Sequence, residues 1–323
     1  MKIAVLDDYQ SAFDQLAAAR RLRGDDAVAG HEVVTFTDSV TGSALVERLS
    51  GFDAVVLLQQ RTPFPRSVVE GLDTLRLVSQ TGRNTGHLDL EAFAERGITV
   101  CAGGAGSAAT TAELTWGLVL ASLRHLPEEV ARLRAGQWQG SVGTSVAGKT
   151  LGVWAYGRIG SRVAEVGRAF GMDVVCWGRA GSLARAADAG FAVAGSKEEF
   201  FSSADVLTLH LPLNDGTSGI VTAGDLALMK PSALLVNTSR AGIVEPGALA
   251  AAVSAGRPGR AAVDVFEDEP VLGAADPLIG LPGVTATPHL GYVEWDVLES
   301  LYSAAVDQVL AFAAGTPINL ATP

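Results

Sequence analysis

Residues 148–179, GKTLGVWAYGRIGSRVAEVGRAFGMDVVCWGR, constrain the fold more tightly than any other stretch of this chain. Leu151–Ala155 is a short apolar run that reads as a strand. Tyr156-Gly157-Arg158-Ile159-Gly160 is a glycine turn opening a helix, because Ile159, Val163, Val166 and Phe170 then recur at helical spacing. Gly171 ends that helix and Val174–Trp177 is a second strand. Such a turn aims unpaired backbone N–H groups, and the positive end of the helix dipole, at one point, which suits a pyrophosphate. The usual fingerprint is G-x-G-x-x-G, and here Ala155 replaces the first glycine to make A-Y-G-R-I-G. A strand–helix packing turn with no ligand has the same local pattern, so the rest of the chain must decide.

A length of 323 residues suits two domains. Nearly half of the residues are apolar and 18% are charged, an ordinary globular α/β composition. The net charge of −11 argues against a general nucleic-acid or anionic-membrane surface, yet leaves room for a few arginines around a small anion. Two cysteines, Cys101 and Cys176, are too few and too far apart for a disulfide framework or a metal cluster, so both read as core thiols and no metal is expected. The opening MKIAVLDDYQ lacks an apolar signal region and no run is long enough to span a membrane. A cytoplasmic location is expected.

Strand-like runs at 2–6, 33–36, 54–58, 75–79 and 98–101 alternate with amphipathic stretches at 13–23 and 42–49. They make a small open α/β unit ahead of the glycine turn. Gly103–Ser107 is a loop, Ala108–Leu126 a helix carrying Glu113 and Trp116, and 132–148 a polar connecting loop anchored by Trp138. After the second strand of the glycine motif, further strands are expected at 206–210, 233–237, 261–265 and 284–287, with helices at 246–254 and 294–314.

Ligands of open α/β sheets bind beyond the carboxyl ends of the strands. Three such ends carry polar residues: Asn237-Thr238-Ser239-Arg240, Asp264 to Glu269, and Thr287-Pro288-His289. An arginine, carboxylates and a histidine on one sheet edge suit reduction of a carbonyl beside a carboxylate. Arginine holds a carboxylate in a bidentate fork. Histidine gives or takes the hydroxyl proton near neutral pH. A carboxylate on the imidazole selects its tautomer and favours its charged form.

These motifs resemble those of the D-isomer-specific 2-hydroxyacid dehydrogenases over nearly the whole chain. The matching pieces are A-Y-G-R-I-G, H-L-P-L at 210–213, L-L-V-N-T-S-R-A-G at 234–242, D-V-F-E-D-E-P at 264–270 and T-P-H-L-G at 287–291. The resemblance implies an α/β fold of two open parallel-sheet domains. A flavodoxin-like substrate domain (1–102 plus 291–323) would carry an inserted Rossmann dinucleotide-binding domain (103–290). It also implies a homodimer, a cleft closing over a small anionic 2-keto or 2-hydroxy acid, and a final helix returning to the first domain. By this resemblance Arg240 anchors the substrate, Glu269 partners the histidine and His289 is the acid-base. Asp264 would face the nicotinamide carboxamide, and Thr111 and Glu113 match the start of the interdomain helix. Tyr156, Gly157, Arg158, Ile159, Gly160, Arg179, His210 and Thr238 would line the cofactor. Gln80–Gly86 matches the loop whose amides hold the substrate carboxylate, placing Arg83 and Asn84 there, although Asn84 stands where the family has a second glycine. Arg61 and Thr62 are selectivity candidates.

An NAD site usually has an acid about 20 residues past the glycine turn, on the ribose hydroxyl. Here Gly178 and Arg179 occupy that place, so the choice between NAD and NADP tips to NADP. A solvated arginine, or one stacked on adenine in an NAD site, is the other reading. Two rivals to the keto-acid reductase stay open: a dehydrogenase of formate or phosphite, and a non-catalytic dinucleotide-sensing protein. Glu267 and Asp268 read as solvated neighbours of Glu269, and Trp138, Trp154 and Trp177 as packing residues.

Overall fold

The computed structural model describes residues 1–24, 30–104 and 106–323. Ala105, within the loop expected at 103–107, lies outside them. The chain divides into two compact units, Met1–Gly106 with Val293–Pro323, and Ser107–Tyr292. The first changeover comes four residues later than the expected 102/103 and the second two later than 290/291. At the first, the last strand of the leading unit runs on to Gly103, whose carbonyl accepts from the Gly82 amide.

In the first unit, strands β1 (Lys2–Val5), β2 (Glu32–Thr35), β3 (Ala54–Leu57), β4 (Leu77–Thr81) and β5 (Thr99–Gly103) form a parallel sheet ordered β2-β1-β3-β4-β5. The central strands KIAV and AVVL are apolar because helices cover both faces of such a sheet. β4 lies two residues beyond the expected 75–79. Its pairing starts at Leu77 opposite Ala54, and a two-residue shift keeps every side chain on its own face. The helix Trp295–Ala313 packs on β4. Ser79 Oγ donates to the Ala305 carbonyl (2.8 Å) and Gln308 Nε2 donates to Ser79 Oγ (2.9 Å), both buried.

The second unit is a seven-stranded parallel sheet: β6 (Thr150–Trp154), β7 (Asp173–Trp177), β8 (Ala192–Val193), β9 (Val206–Leu209), β10 (Leu234–Asn237), β11 (Arg260–Val263) and β12 (Val284–Ala286), ordered β12-β11-β10-β9-β6-β7-β8. From β6 the chain winds one way to β8, then returns through β9 and winds the other way. The topological switch point therefore lies between β6 and β9, where a crevice opens at the strand ends. One face is sealed by Trp154 edge-on against Phe200 and Phe201. The other is sealed by Trp116, Leu151 and Val163, with the Trp116 indole donating to the Val163 carbonyl at 3.2 Å.

Several expectations need correction. The helix at 108–126 is two helices, Ala108–Leu123 and Leu126–Arg134, because His125 sits in the left-handed region at φ 53° and breaks the run. Pro127 stands in the first turn of the second, where a missing N–H costs nothing. The presumed loop thus begins only after Arg134, and Trp138 is no anchor: it is 78% exposed. β8 and the helices Ala180–Asp188, Lys197–Ser203 and Ala223–Leu228 were not evident from periodicity, being short. Two carried cap signals nevertheless: Ser196 accepts from the Glu199 amide, and Thr222 with Asp225 forms a capping box. Cys101 and Cys176 are free and buried, and burial pushes their thiols up to about 11 and about 12, which keeps both protonated and inert. Among the described residues, no helix is long and apolar enough to cross a membrane.

Candidate active site

The glycine turn stands at the end of β6. Gly157 caps the helix Arg158–Ala169, and among the described residues no side-chain cap hydrogen bond forms at that helix start. A Cβ on Gly157 would meet nothing within 4 Å, whereas one on Gly160 would lie 2.2 Å from the Ala155 carbonyl oxygen. Gly160 therefore lets the helix start close against the strand, while the space above Gly157 is open. Together these features fit the pyrophosphate of a dinucleotide.

Ala155 adopts φ 77°, the left-handed conformation that explains why the fingerprint has glycine here. The strain of roughly 1–2 kcal/mol exceeds the chain entropy that a glycine would add, about 0.4–1 kcal/mol. Ala155→Gly is therefore expected to raise the melting temperature by about 1–3 °C, read by calorimetry. A lower melting temperature would show that the methyl group packs productively.

Tyr156 does not offer its ring to a cofactor. The ring is buried beneath the turn, 5.5 Å from Phe191 between centroids. Its amide donates to Ser182 Oγ (2.7 Å) and its carbonyl accepts from Arg185 Nη2 (3.2 Å), so this residue ties the turn to the helix Ala180–Asp188. Ile159 is also turned inward, while Arg158 is exposed. Arg179 follows β7, is exposed and caps the helix Ala180–Asp188; its Nη2 would lie 3.7 Å from a Cβ on Gly216. Both ring nitrogens of His210 are buried and neither has a partner among the described residues; burial lowers its pKa to about 4, so it is neutral near pH 7. Thr238 is buried with Oγ1 2.8 Å from Thr115 Oγ1, which links the end of β10 to the helix Ala108–Leu123.

Arg240, Glu269 and His289 converge beyond the carboxyl ends of β10, β11 and β12. Glu269 Oε2 lies 2.6 Å from His289 Nδ1, and Glu269 Oε1 accepts from the Phe266 amide at 3.0 Å. With Nδ1–H committed to the carboxylate, Nε2 is the ring atom left to move a proton. Arg240 is half-buried. Burial lowers its pKa and the neighbouring Glu269 carboxylate opposes that, so the guanidinium stays charged. Its Nη1 donates to the Ser239 carbonyl (2.7 Å), and Asn237 Nδ2 donates to the Arg240 carbonyl (2.9 Å), which fixes the bend after β10.

Asp264 does not face outward. It is fully buried, with Oδ1 accepting from Thr287 Oγ1 (2.6 Å) and the Leu290 amide (2.7 Å), and Oδ2 from the Gly291 amide (2.9 Å). Burial raises its pKa and these donors oppose the rise. Both oxygens are thus used to hold the 287–291 loop, with His289 at φ 54° in the middle. Thr110 and Thr111 donate to the Gly291 carbonyl (3.2 and 3.0 Å) and secure the same loop from the helix side. The geometry of His289 thus depends on Asp264, a role that the resemblance did not suggest. Glu267 is also more than a solvated neighbour: it accepts from the Gly247 amide at 2.8 Å. A cavity of about 370 Å³ lies beside this segment, lined by Val244, Leu249, Val265, Phe266, Leu272 and Leu278 among others. Neither Arg240 nor His289 lines it.

In the first unit, Arg83 and Asn84 are exposed in the loop after β4. Asn84 Oδ1 accepts from the Gly86 amide at 3.0 Å and closes a local turn. His87 carries ring nitrogens without a partner among the described residues, and burial lowers it to about 4.

A doubly wound sheet with a pyrophosphate turn at its switch point, and a histidine–carboxylate pair beside an arginine, defines the class: a dinucleotide-binding α/β protein with acid-base machinery. A model of "D-isomer specific 2-hydroxyacid dehydrogenase, NAD binding domain" matches residues 116–291, and the chain belongs to the D-isomer-specific 2-hydroxyacid dehydrogenase family. It is 37% identical over 256 residues to glyoxylate reductase of Aeropyrum pernix, covering 76% of each chain. It is 35% identical over 272 residues to D-3-phosphoglycerate dehydrogenase of Methanocaldococcus jannaschii, covering 83% of this chain and 51% of that one. The chain therefore spans about half the length of that relative. The crystal structure of phosphoglycerate oxidoreductase from Vibrio cholerae superposes with a TM-score of 0.92 at 46% identity, covering 98% of this chain and 99% of that one.

Proposed function

We propose that the protein is an NAD(P)-dependent dehydrogenase that interconverts a small 2-keto acid and its D-2-hydroxy acid. The observation that carries this reading is the 2.6 Å contact between His289 and Glu269 beside the half-buried Arg240. A bound nicotinamide dinucleotide supplies or accepts the hydride. In the reducing direction Arg240 holds the substrate carboxylate and polarises the carbonyl. The imidazolium of His289 gives its Nε2 proton to the forming alkoxide, and the Glu269 carboxylate stabilises the charged ring until then. Asp264 keeps the His289 loop in place. The Arg83–Asn84 loop is proposed to supply amide donors to the carboxylate, as the family resemblance implies. The helix N-terminus at Arg158 and the open space above Gly157 support dinucleotide binding. Assembly as a homodimer belongs to the same proposal and is supported by the exposed apolar residues Val130, Leu133, Trp138 and Val142.

The test is oxidation of NADPH and NADH by the purified protein with glyoxylate, hydroxypyruvate, pyruvate and bulkier 2-keto acids. Turnover of any of them supports the reading. Dinucleotide binding without turnover would favour a sensor or another anion such as formate or phosphite.

NADP is the proposed cofactor, since Arg179 stands where an acid would serve NAD and Arg185 lies over the turn. Arg179→Ala is expected to weaken NADPH binding by about tenfold or more, the loss of one charge-assisted contact, with NADH changed by less than about twofold. Equal effects, measured by titration calorimetry, would remove the phosphate assignment.

A further inference from the structure

The cavity of about 370 Å³ lies wholly within the second unit, between the chain leaving β10 and the chain leaving β11. Its floor is apolar, built from the buried residues Val244, Leu249, Val263, Val265 and Phe266. Its rim carries four carboxylates, Glu245, Glu267, Asp268 and Asp276, and among the described residues no lysine, arginine or histidine lines it. Leu272 stands on the same rim, 71% exposed. The volume is that of a small-molecule site, and such sites combine an apolar body with a few placed polar groups.

The rim selects the charge of an occupant. Three of its carboxylates each commit one oxygen to a backbone amide: Glu245 Oε2 accepts from Ala223 (3.0 Å), Glu267 Oε1 from Gly247 (2.8 Å) and Asp276 Oδ1 from Leu278 (2.8 Å). The single oxygens left over suit the point charge of an ammonium better than the planar fork of a guanidinium, which wants both. Among the described residues no group of three or more acidic, histidine or cysteine side chains could hold a metal ion. A monocation on a hydrocarbon body fits instead, with its apolar part on the floor and its charge at the rim.

Two lining residues also hold parts of the active site. The Phe266 amide donates to Glu269 Oε1 (3.0 Å), and Asn237 Nδ2 donates to the Arg240 carbonyl (2.9 Å). Arg240 and His289 do not themselves line the cavity, so an occupant reaches them through these ties.

We propose that this cavity is an effector site for a small primary amine carrying an aryl or alkyl group, and that its occupant acts on His289 through Phe266 and Glu269. The occupant packs on Phe266, whose own amide anchors Glu269. A preference of the occupant for one position of Phe266 therefore becomes a preference for one position of the carboxylate against His289 Nδ1. The site is separate from the glycine turn after β6, and its binding chemistry is the same whichever substrate the enzyme takes.

The test is calorimetric binding of 2-phenylethylamine, and of its neutral analogue 2-phenylethanol, to the whole chain at low ionic strength. The amine is expected to bind about fivefold tighter or more, and salt should reduce the difference. Asp268→Asn combined with Asp276→Asn is expected to bring the ratio to about twofold or less. An asparagine oxygen still accepts from the Leu278 amide, so the rim keeps its shape. Ala250→Trp fills the cavity and is expected to weaken both probes by about tenfold or more. Ala275→Trp at the exposed rim does the same should the first variant melt early. Coupling is read from the imidazole proton resonances of the five histidines, in which the His289 signal is the one missing from His289→Ala. The amine should shift that signal in the unaltered protein and leave it in place in the filled variant. Absence of binding, a ratio near one, or binding unchanged in the filled variant overturns the site. Binding that leaves the His289 signal unmoved overturns the coupling. Neither readout requires turnover, so failure to reduce any 2-keto acid would remove the reductase reading and leave this one to its own result.

Discussion

His289→Ala is expected to lower kcat for keto-acid reduction by about 10²–10⁴, the usual worth of a positioned general acid. Dinucleotide affinity should be unchanged, because His289 stands beyond β12 whereas the pyrophosphate turn follows β6. Glu269→Gln is expected to lower kcat less. A glutamine oxygen still accepts from Nδ1–H and keeps the tautomer, but the charge that stabilises the imidazolium is gone. The checks are steady-state kinetics and a separate cofactor titration. If His289→Ala retained kcat within about threefold, another group would be the proton donor. If cofactor affinity fell in parallel, a disturbed fold would be the cause.

Arg240→Ala is expected to lower kcat/KM by about 10²–10⁴. Two charge-assisted hydrogen bonds to a carboxylate are worth about 1.5–3 kcal/mol each, and both disappear. Arg240→Lys should recover only a small part, since an ammonium cannot reproduce the planar fork. Melting curves distinguish the site effect from a folding defect. The main-chain bend at this position is held by Asn237 and Ser239, so the alanine variant should remain folded. Retention of kcat/KM within tenfold would mean that the substrate carboxylate is held elsewhere.

The periodicity of 151–177 and the strand ends at 237, 264 and 287 made both the doubly wound sheet and the Arg–Glu–His set legible without coordinates. Apolar runs report burial, and catalytic residues at strand ends stand out because they interrupt those runs. The short helices after Arg179 were not legible, since six to nine residues carry too few periods to separate a helix from a loop. The break at His125 was invisible for a different reason: a left-handed residue other than glycine leaves no mark in composition.

By itself, then, the amino-acid order determined the class of fold, the dinucleotide turn and which residue types meet at one sheet edge. These depend on spacing along the chain, and spacing is local. Only the tertiary structure decided that Tyr156 faces the core and is tied to the helix Ala180–Asp188, and that Asp264 holds the His289 loop from beneath. The donors and acceptors in those groups lie 23 to 29 residues apart in sequence. Their pairing follows from how the sheets wind, and no local pattern encodes it.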